Sequence, residues 1–252
     1  MNSSYTIAES YVLPSKGLIY DTPINPNVKI RSMTTQEEMR RLAPSDTPYK
    51  TMSDIIDTCL VEKPKLSAYN MCLGDYQFLL HKLRVVTYGA EYKMGIKCPF
   101  CGGFSQKTLN LDDIAVNDFN EEEIKKLMTV KLPQCDKTIE LQIQTPKSLD
   151  DIALRKKEMI KKGADKNIDH SYILTLASLI KTVDGKYLNP AELETFVKKL
   201  PMRDANILLQ TAEKLNRKVG LETILEVECD QCGSPVLTNF RITSEFFGPT
   251  ID

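Results

Sequence analysis

The chain has 252 residues, 42% of them hydrophobic, with 33 basic and 34 acidic side chains and a net charge of −1. That length supports one large domain or two modest ones with real cores. Interleaved, balanced charge leaves no electrostatic footprint for nucleic acid, and no apolar run reaches membrane-spanning length. The opening residues Met1–Tyr5 carry neither a positive start nor an apolar stretch, so a secretory leader is not expected.

Residues 1 to 33 read as an extended arm. Prolines and asparagines punctuate it, Leu13–Tyr20 turns at Ser15-Lys16-Gly17, and Val28–Arg31 forms a short strand. Such an arm has little core of its own and packs either on the rest of the chain or on a partner. A helical segment, 34–90, follows. Thr34 with Glu37 three residues on is a capping box opening a helix to about Leu42. A second helix is expected over Met52–Val61, with Ile55, Ile56, Cys59 and Leu60 on one side. A third opens near Asp75 and stops at Gly89. His81 on that helix reads as a packed or surface residue rather than a ligand. Cys59 and Cys72 read as core residues.

Two cysteine hooks dominate what remains: Cys98-Pro99-Phe100-Cys101-Gly102-Gly103 and Cys229-Asp230-Gln231-Cys232-Gly233. Each places two residues between its cysteines and a glycine after them, the tight turn from which two thiolates reach one centre. Strand-like runs flank both hooks, Glu91–Lys97 and Phe104–Leu111 around the first, Thr223–Glu228 and Val236–Ile242 around the second. Cys98, Cys101, Cys229 and Cys232 together supply a closed tetrahedral zinc site, one structural zinc. Roughly 130 residues separate the hooks, so a subdomain is inserted in the ribbon. A redox pair would need a helix after Cys-Pro-Phe-Cys, where Gly102-Gly103 and a strand-like run stand instead. A disulfide would need an oxidising compartment, whereas seven cysteines, four of them in hooks, fit a reducing one. A metal-free ribbon is the remaining alternative. A four-sulfur site has no open coordination position and points to architecture.

The insert, 112–220, starts with an acidic link and a short helix over Glu121–Met128. A hairpin then joins Thr129–Pro133 to Thr138–Gln144. Four helices follow. Ser148 caps the first, with Asp151 in its first turn. The second carries Tyr172, Leu176, Leu179 and Ile180 and ends at Asp184-Gly185. Asn189-Pro190 with Glu192 opens the third, and the fourth spans about Arg203–Lys218 before Gly220. Arg155, Lys156, Lys157, Lys161 and Lys162 read as a solvated helix face. The expected fold is therefore α+β: zinc-ribbon-like hairpins, 91–111 and 221–243, carry a mainly helical insert, preceded by the arm and helices. A tail, 244–252, ends the chain. Its adjacent Phe246 and Phe247 either tuck over the ribbon core or dock on a partner.

No phosphate loop, dinucleotide fingerprint, nucleophile elbow or histidine constellation marks a catalytic residue. The chain resembles the baseplate hub (hub-assembly) proteins of large contractile-tailed bacteriophages. The resemblance rests on Leu13–Tyr20, Lys29–Glu38, Leu83–Gly89 running into the first hook, Leu200–Ala205, the second hook and Ser244–Pro249, in that order. It departs at Gly248, where the family more often has a bulky residue. It implies a non-enzymatic protein assembling the hub in the host cytoplasm, either retained in the virion tail baseplate or released afterwards. Its partners would be hub, tail-tube or tape-measure proteins, or a second copy of itself. Leu13, Pro14, Leu18, Tyr20, Phe246, Phe247 and Pro249 are the candidate partner contacts in the terminal arms. The rival function is a zinc-ribbon nucleic-acid regulator binding through Lys93, Lys97 and Lys107, with Phe100 and Phe104 to stack on bases; the lack of basic excess counts against it.

Overall fold

The computed structural model describes residues 6–240, 242 and 244–248. It is α+β, with small antiparallel sheets around a central helix.

The arm is a sheet rather than a loose extension. Strand β1 (Ala8–Val12) pairs antiparallel with β2 (Asn27–Arg31), and β2 pairs with β3 (Leu60–Glu62). Between β1 and β2 the chain doubles back at Lys16 and Gly17, both at positive φ. A Cβ on Gly17 would stand 2.1 Å from the Ile24 carbonyl oxygen, so the turn closes only around glycine. Leu13 and Pro14, expected at a partner, are buried, Leu13 beside Val28 and Ile30. Tyr20 is half-buried, while Leu18 stays 43% exposed.

Three helices complete this core: α1 (Thr35–Leu42), α2 (Pro48–Cys59) and α3 (Leu73–Tyr88). Glu37 closes the capping box of α1, accepting the Thr34 N–H at 2.7 Å, and pairs with Arg31. Helix α3 is buried on nearly every side, and three of its buried residues are polar: Asp75, His81 and Arg84. Each serves a different segment. Asp75 accepts the Ser15 N–H at 3.0 Å and the Ser15 and Tyr20 hydroxyls, which fastens the arm. His81 donates through Nε2 to the Leu111 carbonyl at 3.0 Å. Arg84 donates to the carbonyls of Phe246 and Gly89, both at 2.8 Å, with Tyr88 and Phe246 against its guanidinium.

The ribbon hairpins are β4 (Glu91–Lys97) with β5 (Phe104–Asn110), and, after the insert, β9 (Ile224–Glu228) with β10 (Pro235–Asn239). Between them run α4 (Glu121–Leu127), β6 (Thr129–Leu132), β7 (Lys137–Leu141), α5 (Pro146–Lys161), α6 (His170–Ser178), β8 (Ile180–Val183), α7 (Pro190–Lys198) and α8 (Met202–Arg217). Leu132, Ile139, Leu176, Ile180 and Leu208 sit in one apolar cluster of this segment. Two local expectations change. The helix expected to run through Ile180 ends at Ser178, because Ile180, Thr182 and Val183 pair as a third strand on β7. The cap of α5 is Thr145, with Ser148 as the reciprocating third residue.

The segment is docked rather than tethered. Asp150 of α5, buried, accepts the Lys50 N–H at 2.8 Å and so caps the start of α2 from another helix. Gly74 of α3 touches the loop after α8 so closely that a Cβ there would lie 2.2 Å from the Val219 oxygen. At its two ends the chain closes on itself, Asn117 N–H to Gly220 O and Glu222 N–H to Ala115 O, both 2.8 Å, around a Val116–Leu221 bridge.

The tail aromatics are inside the molecule. The turn Ser244–Phe247 buries Phe246 completely and leaves Phe247 3% exposed. Phe246 meets Tyr92, Phe240 and Phe247 edge-on at 5.4–5.5 Å between ring centres. Neither ring is available to a partner here, because hiding this much aromatic surface in the chain's own core removes it from water without an associate. Pro249 lies outside the described residues.

Two outcomes follow. Phe246→Ala leaves a ring-sized hole and strips the cover from Arg84, so the denaturant-derived unfolding free energy falls by about 3–5 kcal/mol; a loss below about 1 kcal/mol would mean the ring is not part of the core. His81 is held at about 4, below its ordinary 6.5, first by burial and then by the charge of Lys82. Between those values the unfolded chain takes a proton that the folded chain refuses, so stability is full above about pH 6.5 and falls on acidification towards 4, by roughly 3 kcal/mol at most. Unfolding curves at several pH values for wild type and His81→Gln read this directly: the variant declines less steeply, and parallel profiles would remove His81 as the cause.

Candidate metal centre

Each hook is built by the same two backbone hydrogen bonds. Cys98 N–H reaches Gly103 O at 2.8 Å and Gly102 N–H returns to Cys98 O at 3.0 Å; Cys229 N–H reaches Ser234 O at 3.0 Å and Gly233 N–H returns to Cys229 O at 2.9 Å. Gly102 and Gly233 take φ of 74° and 69°, the left-handed conformation that lets the strand turn beneath its sulfurs. Equivalent turns on two antiparallel hairpins therefore present equivalent sulfur pairs.

The hairpins face each other through Ile96 and Val236, with Met94 and Val227 beside them. This brings Cys98 Sγ to 3.7 Å from Cys232 Sγ, and Cys101 Sγ to 3.7 Å from Cys229 Sγ. All four sulfurs lie within 4.8 Å of one another. A tetrahedron of bonds of about 2.3 Å separates its sulfurs by about 3.8 Å, so the donor set fits a tetrahedral thiolate-bound ion. All seven cysteines are free thiols.

The electrostatics agree. Hydrogen bonds from the Ser234 hydroxyl and N–H pull the Cys232 thiol down to about 6. The Gln231 and Cys232 N–H groups lower Cys229. At Cys101 the Gly103 N–H pulls downward, but the nearby Cys232 thiol, loss of solvent and then Cys98 and Cys229 prevail and drive it up to about 12. Donors favour thiolates, yet the sulfurs crowd one another. A cation between them removes that conflict. Cys98 and Cys229 are buried while Cys101 and Cys232 are exposed, so each hook contributes one inner and one outer sulfur.

Contacts between the hooks go beyond sulfur. Lys107 pairs with Asp230 across the hairpins, and the Gln231 side chain lies where a Cβ on Gly103 would stand. Spacing within a hook signals neither contact. Pairing of Lys107 within the chain also draws it away from the role a nucleic-acid reading would assign it. A cleft of about 410 Å³ beside Tyr49, Met52, Tyr76, Leu80 and Phe247 is mainly apolar. Among the described residues, no helix is long and apolar enough to cross a membrane.

Residues 8–248 match the family described as T4 bacteriophage base plate protein. The chain belongs to that family. No curated protein and no solved structure matches it. In this base plate protein the matched span includes both hooks, the central helix α3 and the tail turn that covers it.

Replacing Cys101 or Cys232 by Ser removes one of four donors to a single ion. Elemental analysis of purified protein is expected to give a single bound ion per wild-type chain and far less in either variant. Hydrogen exchange would then rise in β4, β5, β9 and β10 while the core around α3 stays protected. Equal metal content in variant and wild type would exclude the four-sulfur site.

Proposed function

We propose that the chain is a non-enzymatic structural or assembly protein of the phage baseplate hub, stapled by one structural zinc ion. Its partners are other hub, tail-tube or tape-measure proteins. The observation that carries this reading is the family match over residues 8–248; among the described residues, the cluster able to hold a metal ion is a four-thiol site. Four thiolates saturate zinc and leave no position for substrate, so the ion's work is to hold two hairpins together. Balanced charge, −1 overall, suits a protein that meets proteins rather than a polyanion.

Contact surfaces are the exposed parts of the frame. Leu18 projects from the arm while Ser15 and Tyr20 fix the arm to Asp75, so a partner meets a held loop with little ordering left to do. Assembly would take place in the host cytoplasm, with the finished protein in the tail baseplate.

Quantitative mass spectrometry of purified mature particles and of assembly intermediates tests this, counting the chain against the tail-tube protein. A fixed stoichiometry in the particle is the expected result for a structural component. Presence in intermediates alone would make the protein an assembly factor, and absence from both would overturn the hub reading.

A further inference from the structure

The two hairpins turn their apolar faces inward, which leaves an outer face on each side of the ribbon. On the first, Phe104 is 67% exposed, and its directly opposed cross-strand neighbour is Lys97. On the second, Leu237 is 71% exposed, and its opposed neighbour is Glu226. On the first face Lys97 stands nearest Phe104, with Lys93 and Glu91 farther along the same strand; on the second, Ile224, 40% exposed, joins Leu237 beside the exposed carboxylates Glu226 and Glu228, so the charges nearest the two large apolar side chains are opposite. Among the described residues, neither Lys97 nor Glu226 enters an ion pair, although Lys107 and Asp230 nearby find each other. The Phe104 ring is also held in place. It lies across Gly95, where a Cβ would come within 2.5 Å of it, so the residue at that position clears a bed for the ring on the open face.

We propose that these faces dock on each other between copies of this chain, the Phe104–Lys97 face of one ribbon against the Leu237–Glu226 face of the next. The occupant is a second copy because the chain itself carries both halves of the complementary pair. One molecule cannot bring them together, since its own Ile96 and Val236 separate them. Such contact is head-to-tail: every bound copy still offers one face of each kind, and the series closes into a ring or continues as a filament. Apolar burial supplies the attraction, and the opposite charges set the orientation and reject like against like.

The test is sedimentation equilibrium of the purified, metal-loaded chain over a range of concentrations at low salt. The average mass of wild type is expected to rise with concentration, less so at high salt. Lys97→Glu and Glu226→Lys are each expected to weaken association by more than about tenfold, as like charges meet. The two together restore it, because the pair is re-formed with its signs exchanged, and an equimolar mixture of the two single variants also associates. Metal content and circular dichroism of each variant report that the ribbon is intact, since both positions lie on outer faces. A monomer at every concentration overturns the proposal. So does association that ignores both reversals, which would mean that like faces meet like, or a doubly reversed variant that stays as weak as the single ones.

Discussion

Helix α3 has almost no side that faces water, and a helix buried all round cannot carry polar side chains unless each finds a partner. Asp75 and Arg84 meet that condition by bonding to backbone groups of the arm and of the tail turn at Phe246, and His81 meets it through Nε2 on the carbonyl of Leu111, just after β5, while its Nδ1 is buried without a partner. The consequence is architectural. Segments far apart in sequence are held to one axis by hydrogen bonds whose loss would strand a buried charge or dipole, a cost larger than the bond's own net contribution. Ser15 is 60 residues from Asp75, and Phe246 is 162 from Arg84. The core is therefore closed by both ends of the described chain, and the tail aromatics belong to it.

Buried carboxylates do related work elsewhere. Asp150 caps α2 from α5, and Asp204 on α8 accepts the Gln134 and Cys135 N–H groups in the turn between β6 and β7. In both cases an acid on one element satisfies backbone donors that their own element leaves orphaned. A carboxylate used this way locks orientation as well as position, because two N–H vectors must converge on it. That is how a long excursion between the hooks sits firmly against the helices before it.

The four-cysteine cluster depends on this packing. Bringing two hooks together across 128 positions would cost loop entropy if the hooks alone held the ends. The chain instead closes earlier, where residues 115–117 meet 220–222 and where Gly74 lies against Val219 and Gly220. From that junction each hairpin is short, so the fold already limits where the two pairs of sulfurs lie. An ion bound there stabilises the hairpin pair, while the cores around α3 and around Ile139 bury their own apolar surface without it.

Local chemistry was legible from the chain itself. The capping box of Thr34 and Glu37, the stop at Gly89, the Asn189-Pro190 start of α7 and the hook turns follow from interactions within about five residues. Period-two alternation likewise marked the hairpin strands, and the Cys-x-x-Cys spacing marked the sulfur pairs, because a side chain's reach along its own backbone is fixed. What tertiary structure decided is every contact between distant segments. Ile180–Val183 is helical by its neighbours' periodicity and a strand because β7 offers an open edge. Leu13, Tyr20, Phe246 and Phe247 have the composition of contact residues, and nothing local says whether the contact is with another protein or with α3. Burial settles on the chain's own helix, since Asp75 and Arg84 stand where the arm and tail can reach them. A sequence states which side chains leave water, but the surface that receives them exists only once the whole chain has folded.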